Sequence, residues 1–191
     1  MLTGDKFETA ENIARSCMLV TPEFEVYRLK DKLDVQRYCS NEFVIQNENL
    51  MAQGKKRAMV IENVALSHIM ESSHTEMNFV RVSKTCEAVI CCRLRPGQKA
   101  DVVKMIKKDD KSIMTLAVGD GANDVSMIKE AHVGIGIFGN EGLRAVQASD
   151  FAIPEFKMLH RLILFHGRAR YISISQFVYY FFYKNCVLSM P

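Results

Sequence analysis

The sequence predicts an α/β protein built on a parallel sheet. Three observations carry this: short apolar runs recur as strands, helical segments alternate with them, and the runs are continuous rather than alternating in polarity. Strands buried on both faces read as such runs, whereas a half-solvated strand alternates. Helical crossovers then set consecutive strands side by side and parallel.

In chain order, residues 6–20 (KFETAENIARSCMLV) place Ala10, Ile13, Ala14, Cys17 and Met18 at helical spacing, with Asp5 available as a cap. Residues 21–56 are charged and weakly patterned. Within them EFEVYRL reads as a strand and KLDVQRYCSNEF as a helix. RAMVIEN is the next strand, a helix near residues 76–86 follows, and EAVICC is a strand again. PGQKADVVKMIKKDD opens on Pro96 and closes on basic residues, as a helix dipole favours. Then come the strand SIMTLAVGD, a short helix DVSMIKEA, the strand HVGIGIF, a short helix EGLRAVQASD and a final strand FAI.

From Phe156 the pattern changes. Residues 156–191 carry no strand breaks and become aromatic, then apolar, with Lys184 and Asn185 interrupting a run shorter than the roughly 20 residues that span a bilayer. A long helix rising into a membrane interface fits, and so does a core helix laid on the sheet. The expected division is a domain at 1–155 and a stalk helix leading into a truncated membrane segment at 156–191.

The 191 residues suffice for one substantial core, and 48% hydrophobic with 25% charged residues is globular composition. A net charge of +3, without interleaved basic and aromatic residues, gives no footprint for nucleic acid. The six cysteines form no C-x-x-C pair and the five histidines no H-E-x-x-H, so reduced thiols are expected rather than a disulfide frame or zinc site. No basic-then-apolar leader opens the chain. Met1 leads straight into LTGDK with no strand of normal length before it, as in a piece cut from a longer protein.

Three segments fall beyond the carboxyl ends of predicted strands, where open α/β sheets collect their ligands. In LTGDK, Thr3 offers a hydroxyl and Gly4 an unobstructed N–H to a phosphoryl oxygen, while Asp5 caps a helix or contacts the site. In CRLRPGQK, Lys99 lies in the first turn of a helix and can swing its ammonium over the sheet edge; a solvated lysine reads the same way. In TLAVGDGANDVSMIKEA, Asp120 stands at a strand end as a Mg²⁺ ligand, Asn123 can donate to phosphate, and Asp124 supports the metal through water or ties the loop. Gly119 and Gly121 keep side chains out of the phosphate's space. A turn plus a helix cap would also produce G-D-G followed by N-D. No serine, thiol or histidine nucleophile with a partnered base is apparent.

Together, LTGDK, CCRLRPGQKADVV and TLAVGDGANDVSMIKEAHVGIGIFGNEGLRAVQASDF resemble the phosphorylation domain of P-type ATPases. Their wording is similar to the type IV, phospholipid-transporting (flippase) branch, as is the ending LHRLILFHGRARYISISQFVYYFFYKN. Cation pumps of the superfamily usually continue G-D-G-x-N-D with A-P-A, whereas this chain reads GDGANDVSMI. The resemblance implies a haloacid-dehalogenase-like Rossmannoid parallel sheet, present in part, that handles an aspartyl phosphate formed from ATP with Mg²⁺. It implies that Thr3, Gly4 and Asp5 contact the phosphoryl group, that Lys99 neutralises it, and that Asn123 contacts it. Asp120 then holds the metal and Asp124 is the second aspartate of that loop, with a share in ATP, phosphate and metal binding.

It also implies a parent protein in the membrane, with this domain on its cytosolic side. Phospholipid is the cargo there, a small membrane accessory subunit is a partner of such pumps, and nucleic acid has no place. The family's D-K-T-G-T nucleophile motif does not occur in the chain. The expectation is therefore a pump segment inactive by itself. Two other readings stand beside it: a degenerate Mg²⁺-binding module that associates with membrane or with an intact pump, and a soluble phosphatase of the same superfamily, whose D-x-D loop is missing.

Overall fold

The structure, a computed structural model, describes residues 1–51, 54–139 and 143–190. Its elements alternate as expected: α1 (Phe7–Ser16), β1 (Glu25–Leu29), α2 (Lys32–Tyr38), α3 (Asn41–Met51), β2 (Arg57–Glu62), α4 (Asn63–Met70), α5 (Ser73–Lys84) and β3 (Ala88–Cys92). There follow α6 (Pro96–Asp109), β4 (Leu116–Gly119), α7 (Val125–Glu130), β5 (Val133–Ile137), α8 (Arg144–Gln147) and β6 (Phe151–Ile153). All strand pairs are parallel.

Among the described residues the strands do not form one sheet. They form two of three strands each, ordered β1-β2-β3 and β4-β5-β6. Residues 1–3 extend the first sheet: Leu2 bridges Cys91 in parallel, Thr3 N–H donates to Cys91 O (2.9 Å), and Cys91 N–H donates to Met1 O (2.8 Å). The absence of a preceding strand, read from the sequence, thus understates this end of the chain.

The first sheet is covered on both faces because side chains alternate along each strand. Met59 and Ile61 of β2 join Tyr27, Leu29 and Cys91 under α2 to α6, while Ala58 and Val60 join Ile90 and Cys92 beneath Phe7, Ala10 and Ala14 of α1. The second sheet departs from the expectation of two covered faces, since Leu116 and Phe151 remain exposed.

Several predicted boundaries shift for local reasons. Helix α1 ends at Ser16 because Met18 takes a left-handed φ of 59° and the N–H groups of Leu19 and Val20 both return to Ala14 O. The helix expected at 32–43 is two, for Ser40 accepts from Phe43 N–H and starts α3. Helix α4 was not anticipated, although Ala65, Leu66 and Ile69 bury one face of it. Asp5 does not cap α1, as it accepts the Thr3 hydroxyl instead. Residues 141 and 142 of the helix expected over 141–150 lie outside the described residues.

Residues 156–189 are helical but not uniform. A 3-10 turn (Phe156–Met158) leads to α9 (Leu159–Arg161), a six-residue π-helix (Leu162–Gly167) and then α10 (Arg168–Ser189). Wide turns of this kind arise as local insertions in α-helices, and Gly167, with little helix preference, closes this one. Along α10 no residue is buried. Among the described residues no helix is long and apolar enough to cross a membrane.

Candidate functional site

The carboxyl ends of residues 1–3 and of β4 border one cleft of about 590 Å³. One wall is Met1, Leu2 and Thr3; the other is the run Leu116, Ala117, Val118 and Gly119 with Asp120 at its end. Both walls are sheet edges. Strand β4 is outermost in its sheet, and because Met1 and Thr3 pair with Cys91, the alternation of a strand turns the Leu2 amide groups away from that ladder.

Of the residues singled out from sequence, Thr3, Lys99, Asp120 and Asp124 line this cleft. Gly4, Asp5 and Asn123 are exposed near its rim and do not line it. The Thr3 hydroxyl donates to Asp5 Oδ2 (2.7 Å) and accepts from Asp5 N–H (3.1 Å), a closed local turn. Arg93 N–H donates to Asp5 O and Leu94 N–H to Thr3 O, so the loop after β3 is stitched to this turn.

Lys99 enters from α6, whose first turn is set by Pro96 and by Arg95 N–H donating to Gln98 Oε1 (2.9 Å). Its ammonium donates to Asp124 Oδ1 at 2.7 Å, and both side chains are nearly buried. Asp124 ends a 3-10 turn (Ala122–Asp124) that feeds α7. Ser126 Oγ donates to Pro96 O (2.8 Å) and Lys107 Nζ to Glu130 O (2.6 Å), which lock α7 against α6.

Gly119 has a reason within the fold as well: a Cβ there would collide with Asp124 Cβ, so the glycine makes room for the Asp124 side chain. Asp120 stays exposed and forms no ion pair among the described residues. Those residues also contain no group of three or more His, Cys, Asp or Glu placed to share a metal.

Met1 is held in the same wall, its ammonium donating to Val89 O (2.7 Å). Burial lowers its pKa from 8.0, opposed by the nearby Cys91 and Cys17. Sequence reading missed two contributors. Gly139 lies against Asp120, where a Cβ would come within 3.2 Å of the Asp120 Cβ, and Phe156 closes one side of the cleft. The FGNEG run after β5 was the available signal for the first. Nothing in the sequence marked the second, since an aromatic at the foot of a helix has many uses.

Residues 146–191 match the family described as phospholipid-translocating P-type ATPase C-terminal. The whole chain aligns over 215 residues at 42% identity with phospholipid-transporting ATPase ID of Homo sapiens, of which it covers 18%. It aligns over 212 residues at 42% with phospholipid-transporting ATPase IH of Homo sapiens, covering 19% of that protein. For phospholipid-transporting ATPase tat-1 of Caenorhabditis elegans the identity is 45% over 189 residues, 98% of this chain and 16% of that one. The chain thus spans less than a fifth of the length of these relatives.

Proposed function

We propose that this chain, which belongs to the phospholipid-transporting P-type ATPases, supplies the cation- and phosphate-holding half of an aspartyl-phosphate site. The observation that carries this reading is the single cleft in which Thr3, Lys99, Asp120 and Asp124 converge at the carboxyl ends of parallel strands.

A phosphoryl group in this cleft meets donors from three elements. Asp5 holds the Thr3 hydroxyl in place, and that hydroxyl can turn its proton to a phosphoryl oxygen beside the Gly4 N–H. Lys99 gives one N–H to Asp124 and has two more to offer the incoming oxygens, so Asp124 aims the ammonium. Asn123 reaches from the exposed rim. The carboxylates of Asp120 and Asp124 suit Mg²⁺, which takes one or two protein carboxylates and fills its octahedron with water and phosphate. Such an ion, when bound, offsets charge that develops on the transferring group.

The attacking carboxylate is not in this chain, for no D-K-T-G-T run occurs in it. The two sheet edges supply a place for it. A parallel strand laid between Leu2 and β4 would join the sheets and deliver the residue at its end beside Lys99 and Asp120. In a whole pump, ATP would phosphorylate that residue, hydrolysis would drive phospholipid movement, and this domain would stand on the cytosolic side of the membrane.

Labelling with γ-³²P ATP and Mg²⁺ tests the proposal. The isolated chain is expected to form no acid-stable, hydroxylamine-sensitive adduct. Grafted in place of the matching residues of human phospholipid-transporting ATPase ID, it is expected to support one, and the Lys99→Ala or Asp120→Asn graft is expected to lose it. Label on the isolated chain, or on grafts indifferent to both substitutions, would overturn the reading.

A further inference from the structure

Charge along the chain is divided sharply. All 22 aspartates and glutamates lie in residues 1–155, and no acid follows Glu155. Before that point cations find carboxylates repeatedly: Arg28 with Glu11, Lys84 with Asp109, Arg93 with Glu62, Lys107 with Glu130. Beyond it, Arg161, Arg168 and Arg170 are exposed and form no ion pair among the described residues. The Arg161 and Arg168 guanidiniums lie instead 6.0 Å from the ring centroids of Phe165 and Tyr171. Three exposed positive charges within ten residues, with no acid after Glu155, leave a positive potential that an external anion can offset.

The position of these arginines selects the anion. Phe177 to Tyr183 of α10 are all exposed and form an aromatic run beginning seven residues after Arg170. At about 1.5 Å per residue, Arg170 sits about 10 Å and Arg168 about 13 Å below Phe177 along the helix. That span matches the depth of the polar layer, about 5–8 Å per leaflet, plus the reach of an arginine side chain. Aromatic rings favour the interface and arginines the adjoining anionic surface. We infer that Arg168 and Arg170 form a docking surface for the anionic headgroups of a phospholipid bilayer, engaged as the aromatic run of α10 meets the interface.

This inference rests on the stalk alone and is independent of the phosphoryl cleft. Flotation of the 191-residue chain with vesicles of phosphatidylcholine, or of phosphatidylcholine with phosphatidylserine, tests it. The chain is expected to prefer the serine-containing vesicles, and 0.5 M salt is expected to remove the preference. Arg168→Gln/Arg170→Gln should reduce partition to anionic vesicles about 30-fold, since each arginine at the surface contributes about 1 kcal/mol. Partition to neutral vesicles, which the rings govern, should hold, and Arg168→Lys/Arg170→Lys should retain the preference. Equal binding of the parent chain to both vesicles, or an undiminished preference in the glutamine variant, would overturn it. So would an RNA oligonucleotide that binds the chain as tightly as the anionic vesicles in the same buffer.

Discussion

Lys99 Nζ lies 2.7 Å from Asp124 Oδ1, a pair 25 positions apart in sequence whose side chains are only 11% and 12% exposed. It joins α6 to the turn before α7 and fixes the Lys99 ammonium in the cleft that Asp120 also lines. Removing either partner leaves an unpaired charge in a poorly solvated place. Lys99→Met and Asp124→Leu are each expected to destabilise by about 3 kcal/mol, and the Lys99→Met/Asp124→Leu pair by less than the sum of these single changes. Urea unfolding of the four proteins measures this, and additive single effects would refute a coupled pair.

Two glycines should respond in opposite directions to alanine. A Cβ on Gly136 of β5 would lie 2.6 Å from Val146 Cα and 2.8 Å from Val146 N, backbone atoms of α8 that cannot turn aside. Gly136→Ala is expected to cost at least about 1–3 kcal/mol through overpacking. Gly97, in the first turn of α6, has nothing within 4 Å of its added Cβ, so Gly97→Ala should stabilise by up to about 1 kcal/mol. Thermal melts of the two variants decide it, and a shared sign would contradict the packing of α8 on β5.

The thiols separate by burial. Cys17 and Cys186 are exposed, while burial raises Cys39 and Cys91 to about 12 and Cys86 and Cys92 to about 11, from an ordinary 9.0. At pH 8 iodoacetamide should label Cys17 and Cys186 first, because the thiolate is the nucleophile. The linkage has a definite sign. These acids stay neutral in the folded chain when the unfolded chain already ionises, so their contribution is intact below pH 9 and fades as pH rises through 11 to 12. Stability that does not fall across that window, or early labelling of Cys91, would count against this burial.

Much of this was legible because strands and helices announce themselves locally. The run Arg57–Glu62 is buried on both faces and reads as a continuous apolar strand, and Pro96 marks the start of α6 to the residue. Thr3, Lys99, Asp120 and Asp124 could be placed together because each follows a strand end. What sequence could not reveal depends on distance through space. The split into two sheets reflects two unpaired edges on either side of a cleft, and a strand signal carries no record of its neighbours. Likewise Lys99 read as a free cation, since nothing near it in sequence announces Asp124.

Among the described residues Arg57 is the largest fully buried side chain, and it is poorly satisfied. Its Nη1 donates to Asn47 O at 3.3 Å, its Nε stands 3.9 Å from the half-exposed Glu25 carboxylate, and neither Nε nor Nη2 has a hydrogen-bond acceptor among the described residues. A buried guanidinium forfeits its hydration, and one long hydrogen bond returns little of that. Arg57→Met keeps most of the volume and removes the charge, so it is expected to raise stability by about 1 kcal/mol or more, as replacement of poorly paired buried ions often does. The Asn47 side chain, which accepts from Tyr27 Oη and donates to Thr85 Oγ1, should hold its place through those partners. Glu25→Ala should change stability by less than about 0.5 kcal/mol, since its pairing is long and solvated. Urea midpoints report both effects; an Arg57→Met variant less stable than the parent would mean that the guanidinium is better solvated at the start of β2 than its burial implies.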